Sequence, residues 1–312
     1  MSVHQFETPG PVRLQVRNEA GEVRIETQAA ARTDVEVRAL TGGSQQQADL
    51  TRVECHEESG GYKVLVEVPS PRHNFLLESY GVEVRIRVPE DAFLEITSAS
   101  ADVAADGQYG GGSIRTSSGD VRWERATGDV DIATASGDTT VQEALAALQV
   151  RSASGDILVG RACGELRLAA ESGDITVRTA EGGARLRGSS SGVEVGTAAG
   201  SLDVQTSSGD VTVQEAYADC SLSTRSGDVD LLTALAGKVT IETMSGDVQV
   251  GIAPGSRVAV DTQTRSGDLH SDIALAEDAD TRSDDGPLVT LEVRTLSGDI
   301  QLKRGHTPRQ RG

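Results

Sequence analysis

The chain runs to 312 residues with a formal charge of -19, 37% hydrophobic residues and only 3% aromatics. That excess of acid repels phosphate backbones and anionic bilayers, which argues against nucleic acid and membrane surfaces as partners. No stretch approaches the ~18 apolar residues of a spanning helix, and MSVHQFETPGPVRLQV lacks the basic region and apolar run of a secretory leader, so a cytoplasmic location is expected.

With few aromatics, the core must come from Val, Ile, Leu and Ala, a thin aliphatic interior that suits stacked coils. The cysteines, Cys55, Cys163 and Cys220, are odd in number and show no CxxC spacing, as expected of free thiols in a reducing compartment.

Residues 1–99 alternate apolar and polar positions over Val12-Arg13-Leu14-Gln15-Val16, Gly21-Glu22-Val23-Arg24-Ile25, Val64-Leu65-Val66-Glu67-Val68 and Val82-Glu83-Val84-Arg85-Ile86-Arg87-Val88. Period two is the signature of a strand with one face buried. The last two runs end in Pro69 and Pro89, which cannot donate to a ladder. This region is expected to be a β-rich N-terminal cap, or irregular opening coils.

From 100 to 302 the chain repeats. Ser-Gly-Asp or a near variant begins at Ser100, Ser118, Ser136, Ser154, Ser172, Ser191, Ser208, Ser226, Ser245, Ser266 and Ser297, at spacings of 18, 18, 18, 18, 19, 17, 18, 19, 21 and 31. Ala126, Ala144, Ala162, Ala180, Ala216, Ala234 and Ala253 follow eight residues after their serines, with Ala198 seven after Ser191. Two ladders with one period predict an all-β solenoid of ~18-residue coils, like a parallel β-helix, with two short strands per coil. Stacked parallel coils need the same residue type at the same phase on every rung; hairpins do not.

Two irregularities stand out. The 19-then-17 spacing around Ser191 predicts a bulge near Arg185-Leu186-Arg187-Gly188. The 31-residue gap after Ser266 predicts one coil carrying an acidic loop insertion at about 272–287. The basic end, 303–312, is expected to be a disordered tail.

The tempting chemistry is the aspartate ladder. Stacked carboxylates repel, and calcium with its oxygen ligands would relieve them, with Asp210, Asp228 and Asp247 as the weak candidate ligands. Against this stands one Asp per coil, without the Gly-Gly-x-Gly-x-Asp pattern of calcium-binding repeats. The preferred reading is structural: glycine at positive φ, with Ser and Asp side chains bonding turn amides. His270 lies near Ser266, Asp268 and Asp272 in sequence, but its phase points outward and chance proximity accounts for it. Lys63, Lys238 and Lys303 do not cluster, and the outward positions Arg122, Thr140, Thr176, Glu194, Thr212, Asp230 and Gln249 vary from coil to coil. No catalytic constellation, metal site or cofactor site emerges. Cys163 and Cys220, about three rungs apart, are too distant for a disulfide, and Trp123 has an inward phase.

Serial Ser-Gly-Asp-[Val/Ile] turns at this period, after a β segment ending in Val88-Pro89, resemble the bacterial DUF4097 family, often described as adhesins or β-strand repeat proteins. The resemblance covers nearly the whole chain. It implies a β-solenoid of unassigned biochemical role, with some relatives tied to cell-envelope stress responses and with no catalytic residues to carry across. The expected function is a non-catalytic scaffold or protein-interaction module, binding a protein partner or itself. The alternative is a carbohydrate- or envelope-binding, adhesin-like protein, and a polysaccharide-active enzyme comes third. A surface aromatic strip would favour sugar binding, and the array offers only Tyr109, Trp123 and Tyr217.

Overall fold

Each apolar–polar–apolar triplet of the repeat becomes a strand that buries its alternate side chains. In Val211–Ala216, Val211 and Val213 are fully buried while Thr212 and Gln214 face outward. The computed structural model describes residues 1–58, 60–70, 81–273 and 286–306. The described chain is an all-β solenoid in which each coil gives one strand to each of two sheets. It divides into two compact units, 1–158 and 159–312, with the division falling inside the strand Ile157–Ala162.

In the first unit, parallel rungs of one sheet run through Gly21–Gln28, Asp102–Tyr109, Val121–Ala126 and Thr139–Ala144. Those of the other run through Val12–Asn18, Phe93–Ser98, Gly111–Thr116, Val130–Thr134 and Leu148–Ser152. The opening coil does not lie at the end of this stack. Val12–Asn18 and Gly21–Gln28 are inserted between the coil of Gly61–Glu67 and Val82–Pro89 and the coil of Phe93–Ser98 and Asp102–Tyr109. Beyond them the pairing turns antiparallel: Arg32–Ala39 on Val82–Pro89, Ser2–Glu7 on Arg32–Ala39, and Arg52–Glu58 on Gly61–Glu67. Trp123 is buried edge-to-face against Tyr109, with ring centroids 5.7 Å apart.

In the second unit every pairing is parallel. One sheet is ordered Ile175–Ala180, Val193–Ala198, Val211–Ala216, Val229–Ala234, Val248–Ile252, Ile300–Arg304, Leu269–Ser271. The other is ordered Leu166–Ser172, Ala184–Ser190, Leu202–Ser208, Cys220–Ser226, Gly237–Ser245, Leu288–Ser297, Arg257–Ser266. The buried alanines Ala180, Ala198, Ala216 and Ala234 stack in register at the end of the first sheet's strands, where the coil closes and leaves room for a methyl.

Four expectations need correction. First, the coils do not stack in chain order. The last coil, Leu288–Ser297 with Ile300–Arg304, lies between that of Gly237–Ser245 and that of Arg257–Ser266, so Ser297 stands in register with both Ser245 and Ser266. The 31-residue gap therefore spans a return of the chain past its own rung; of the expected acidic loop, 274–285 lie outside the described residues. The inserted coil is the more apolar one. It points Val289, Leu291 and Val293 inward, where the displaced coil has Val258, Val260 and Thr262.

Second, there is no bulge around Ser191. Ser190 is in register with Ser172 and Ser208, so Ser191 takes the glycine place and Gly192 the aspartate place in an undisturbed 18-residue coil. Ser191 fits because of Gly188, at which a Cβ would lie 2.8 Å from Ser191 Cβ.

Third, the corner glycines are of two kinds. In the second unit Gly227 has φ +146°, and a Cβ there would lie 2.3 Å from Gly209 O on the rung below. In the first unit Gly119, Gly137 and Gly155 are not at positive φ. Their amides instead donate back to Thr116, Thr134 and Ser152 Oγ atoms at 3.1, 3.0 and 2.8 Å.

Fourth, the expected tail begins too early. Lys303 and Arg304 end a strand paired with Gly251 and Ile252, because the backbone of that rung stays open to them. Residues 307–312 lie outside the described residues.

Candidate functional site

The aspartate column is a hydrogen-bonded spine. In the second unit Asp210 Oδ1 accepts the Asp228 amide at 2.9 Å, and Asp228 Oδ1 accepts that of Asp247 at 2.8 Å. Asp247 then accepts from Asp299, and Asp299 from Asp268, each at 2.8 Å. Asp102, Asp120 and Asp138 do the same for Asp120, Asp138 and Asp156 at 2.9–3.0 Å. One oxygen of each of these carboxylates thus satisfies a corner N–H of the next rung. Where Gly192 replaces the aspartate, its amide still donates to Asp174 at 2.9 Å, but it offers no carboxylate onward. Among the described residues, no group of three or more His, Cys, Asp and Glu could hold a metal ion.

The ladder leaves an electrostatic mark on its neighbour. Burial pushes the Asp230 carboxyl above the ordinary carboxylate range, reinforced by the Asp228 and Asp210 charges and opposed by Lys303. His270 Nε2 is 3.5 Å from Asp272 Oδ1 with both side chains mostly exposed, a surface pair in place of an assembled triad. Cys220 is buried within a strand, not at a corner, and burial pushes its thiol up to about 12.

A feature that periodicity could not show lies on the outer face of the second unit. The residue just before the Ser of each Ser-Gly-Asp corner points outward and forms a column across the rungs. Taken in spatial order, that column reads Arg225, Met244, Leu296, Arg265. Met244 and Leu296 are 50% and 42% exposed side by side on adjacent rungs. They line an open groove of about 930 Å³ together with Arg225, Arg265 and Arg294. Arg294 is held by Glu292 and, at 3.7 Å, by Glu242. Its floor is the column of buried threonines Thr224, Thr243 and Thr295. Met244 and Leu296 are 52 residues apart in sequence and meet only because the last coil is inserted out of order. No spacing rule reveals that adjacency. A smaller groove of about 330 Å³ runs past Glu165, Arg185, Asp203 and Lys238, with Arg185 and Asp203 3.3 Å apart.

A family model described as Toastrack DUF4097 matches residues 12–195 and again 142–303. No curated protein matches the chain. Three solved structures are similar. A candidate cell-adhesion protein from Clostridium sporogenes is 9% identical, with TM-score 0.25, over 97% of this chain and 99% of that one. A candidate lipid-binding protein from Parabacteroides distasonis is 12% identical, with TM-score 0.35, over 97% and 96%. A candidate adhesin from Bacteroides fragilis is 11% identical, with TM-score 0.35, over 96% of each chain. No helix among the described residues is long and apolar enough to cross a membrane.

Proposed function

The chain belongs to the Toastrack DUF4097 family, and on that premise we propose that it is a non-catalytic, cytoplasmic interaction scaffold whose groove along Arg225, Met244, Leu296 and Arg265 receives a protein partner. The observation that carries this reading is the exposed Met244–Leu296 pair. Burying what remains exposed of these two side chains against a partner gains about 1 kcal/mol each, and interaction surfaces characteristically join Met and Arg around an apolar centre. The stacked coils supply a platform in which the rungs of Met244 and Leu296 are each fixed by neighbours on both sides.

Sugar recognition is less well supported by the aromatic inventory. Trp123 and Tyr109 are spent inside the core, and Tyr217 is half-buried with its hydroxyl 3.0 Å from Glu215. A photo-crosslinking amino acid placed at Met244, with Arg122 on the other sheet of the first unit as control, tests the reading in the native cytoplasm. A discrete protein adduct from position 244 and none from 122 supports it. Equal labelling from both positions, or none from 244, sinks it.

A further inference from the structure

The geometry of the groove specifies the chemistry of what it binds. We infer that the partner presents an extended segment with two carboxylates four residues apart and an apolar side chain midway between them, acid–x–apolar–x–acid. This rests on the reading of the groove as a partner surface and goes on to name the ligand.

Arg225 and Arg265 bracket the column and are three rungs apart, with Met244 and Leu296 on the two rungs between them. Rungs are spaced about 4.8 Å, so the two guanidinium-bearing positions are roughly 14 Å apart. An extended peptide advances about 3.3 Å per residue, so residues i and i+4 lie about 13 Å apart. The even spacing places i, i+2 and i+4 on one face of that peptide. One face therefore meets Arg225, the Met244–Leu296 pair and Arg265 in turn, with the peptide crossing the strands along the solenoid axis.

Charge supports the same choice. The protein carries -19 overall, so a site for an acidic segment must create its own positive field. Arg225 and Arg265 have no ion pair among the described residues, whereas Arg294 beside them is already held by Glu242 and Glu292. Two exposed guanidinium groups flanking an apolar strip suit carboxylates, which arginine binds in a bidentate fork. A basic partner would meet these two arginines first and be repelled.

The test is selection of a displayed library of random dodecapeptides on the full-length chain, with counter-selection on R225E/R265E. Both positions are exposed, and a thermal melt matching wild type confirms that the variant is folded. The inference expects enriched peptides to carry the acid–x–apolar–x–acid pattern. A representative peptide should lose at least about tenfold in affinity against R225E/R265E or M244T/L296T, and weaken as salt rises past about 0.5 M. Enrichment of any other pattern, no enrichment, or equal binding to the charge-reversed variant overturns it. So does co-sedimentation of the chain with phosphatidylserine vesicles that is lost in R225E/R265E, which would make the arginines a lipid-headgroup site. Crosslinks from Met244 to a protein lacking the pattern would sink this inference while leaving the scaffold reading in place.

Discussion

Asp228 accepts the amide of Asp247 at 2.8 Å while its own amide donates to Asp210 at 2.9 Å, so Asp228 bonds the rung above through its carboxylate and the rung below through its amide. Stacked charges about 4.8 Å apart repel, yet the acceptor oxygen satisfies a corner N–H that would otherwise go unpaired. These two effects separate by substitution. Asp228→Asn keeps the acceptor and removes a charge, so its unfolding free energy should equal or exceed that of wild type. Asp228→Ala removes the acceptor and should lie about 1 kcal/mol below Asn in urea melts. Equal loss in both variants would mean that the charge, not the acceptor, matters.

Because one oxygen of each carboxylate is already engaged, the ladder should gain little from calcium. Millimolar calcium should leave the melting temperature within about a degree of its value in chelator, since a ligand bound only to the folded state must raise it. A rise of about ten degrees would instead mean that the folded chain binds the cation, and its loss in Asp228→Asn would place the site on the ladder.

Asp230 carries the cost of its position beside that ladder. Its carboxyl is raised by burial, then by Asp228 and Asp210. The folded state therefore holds this proton to higher pH than the unfolded chain does. Its stabilising contribution is full below the unfolded-state value and is lost as pH rises through the folded one. Asp230→Asn should raise the melting temperature at pH 7 and leave it nearly unchanged at acidic pH below the ordinary carboxylate range. A gain of equal size at both pH values would rule out titration as the cause.

Two glycines with positive φ should respond differently to a side chain. At Gly227 a Cβ meets Gly209 O at 2.3 Å, whereas at Gly255 nothing lies within 4 Å. Gly255→Ala should cost only the backbone term, about 1 kcal/mol, and Gly227→Ala should add a clash that separates two rungs, for several kcal/mol in all. Chemical denaturation of the two variants tests this; equal costs would mean that φ alone sets the penalty.

The period, the two strands per coil and the inward phase of Trp123 were legible because every rung repeats one environment, which forces one residue type at one phase. The same uniformity concealed the order of the rungs. A coil ending at Ser266 and a coil ending at Ser297 present the same pattern to the coil ending at Ser245, so register could not choose between them. Among the inward side chains the two coils differ in apolar bulk, and Leu291 and Val293 outweigh Val260 and Thr262. The groove was hidden for the same reason, since Leu296 reaches Met244 only through that choice. The phase slip at Ser190-Ser191-Gly192 misled in the opposite direction. Motif spacing suggested a bulge where the backbone register is intact and the small volume of Gly188 makes room for Ser191.

The order of the last rungs can be tested by where the protein is sensitive. Leu291 is fully buried on a rung with a neighbour on each side. Val260 points the same way on the terminal rung but is only half-buried, because its strand is paired on one edge alone. Truncating a buried leucine costs about 2–5 kcal/mol through lost transfer energy and the cavity left behind, and truncating a half-exposed valine at an edge costs under about 1 kcal/mol. Leu291→Ala should therefore be the more damaging by at least about 1 kcal/mol, although Leu291 is closer to the C-terminus. Stacking in chain order would reverse the ranking, with Val260 enclosed and Leu291 on the last rung. Native-state hydrogen exchange gives a second reading without mutation. The Leu288–Ser297 amides should be protected close to the global unfolding free energy, and those of Arg257–Ser266 should exchange by local fraying. Faster exchange at Leu288–Ser297 than at Arg257–Ser266 would refute the inserted coil.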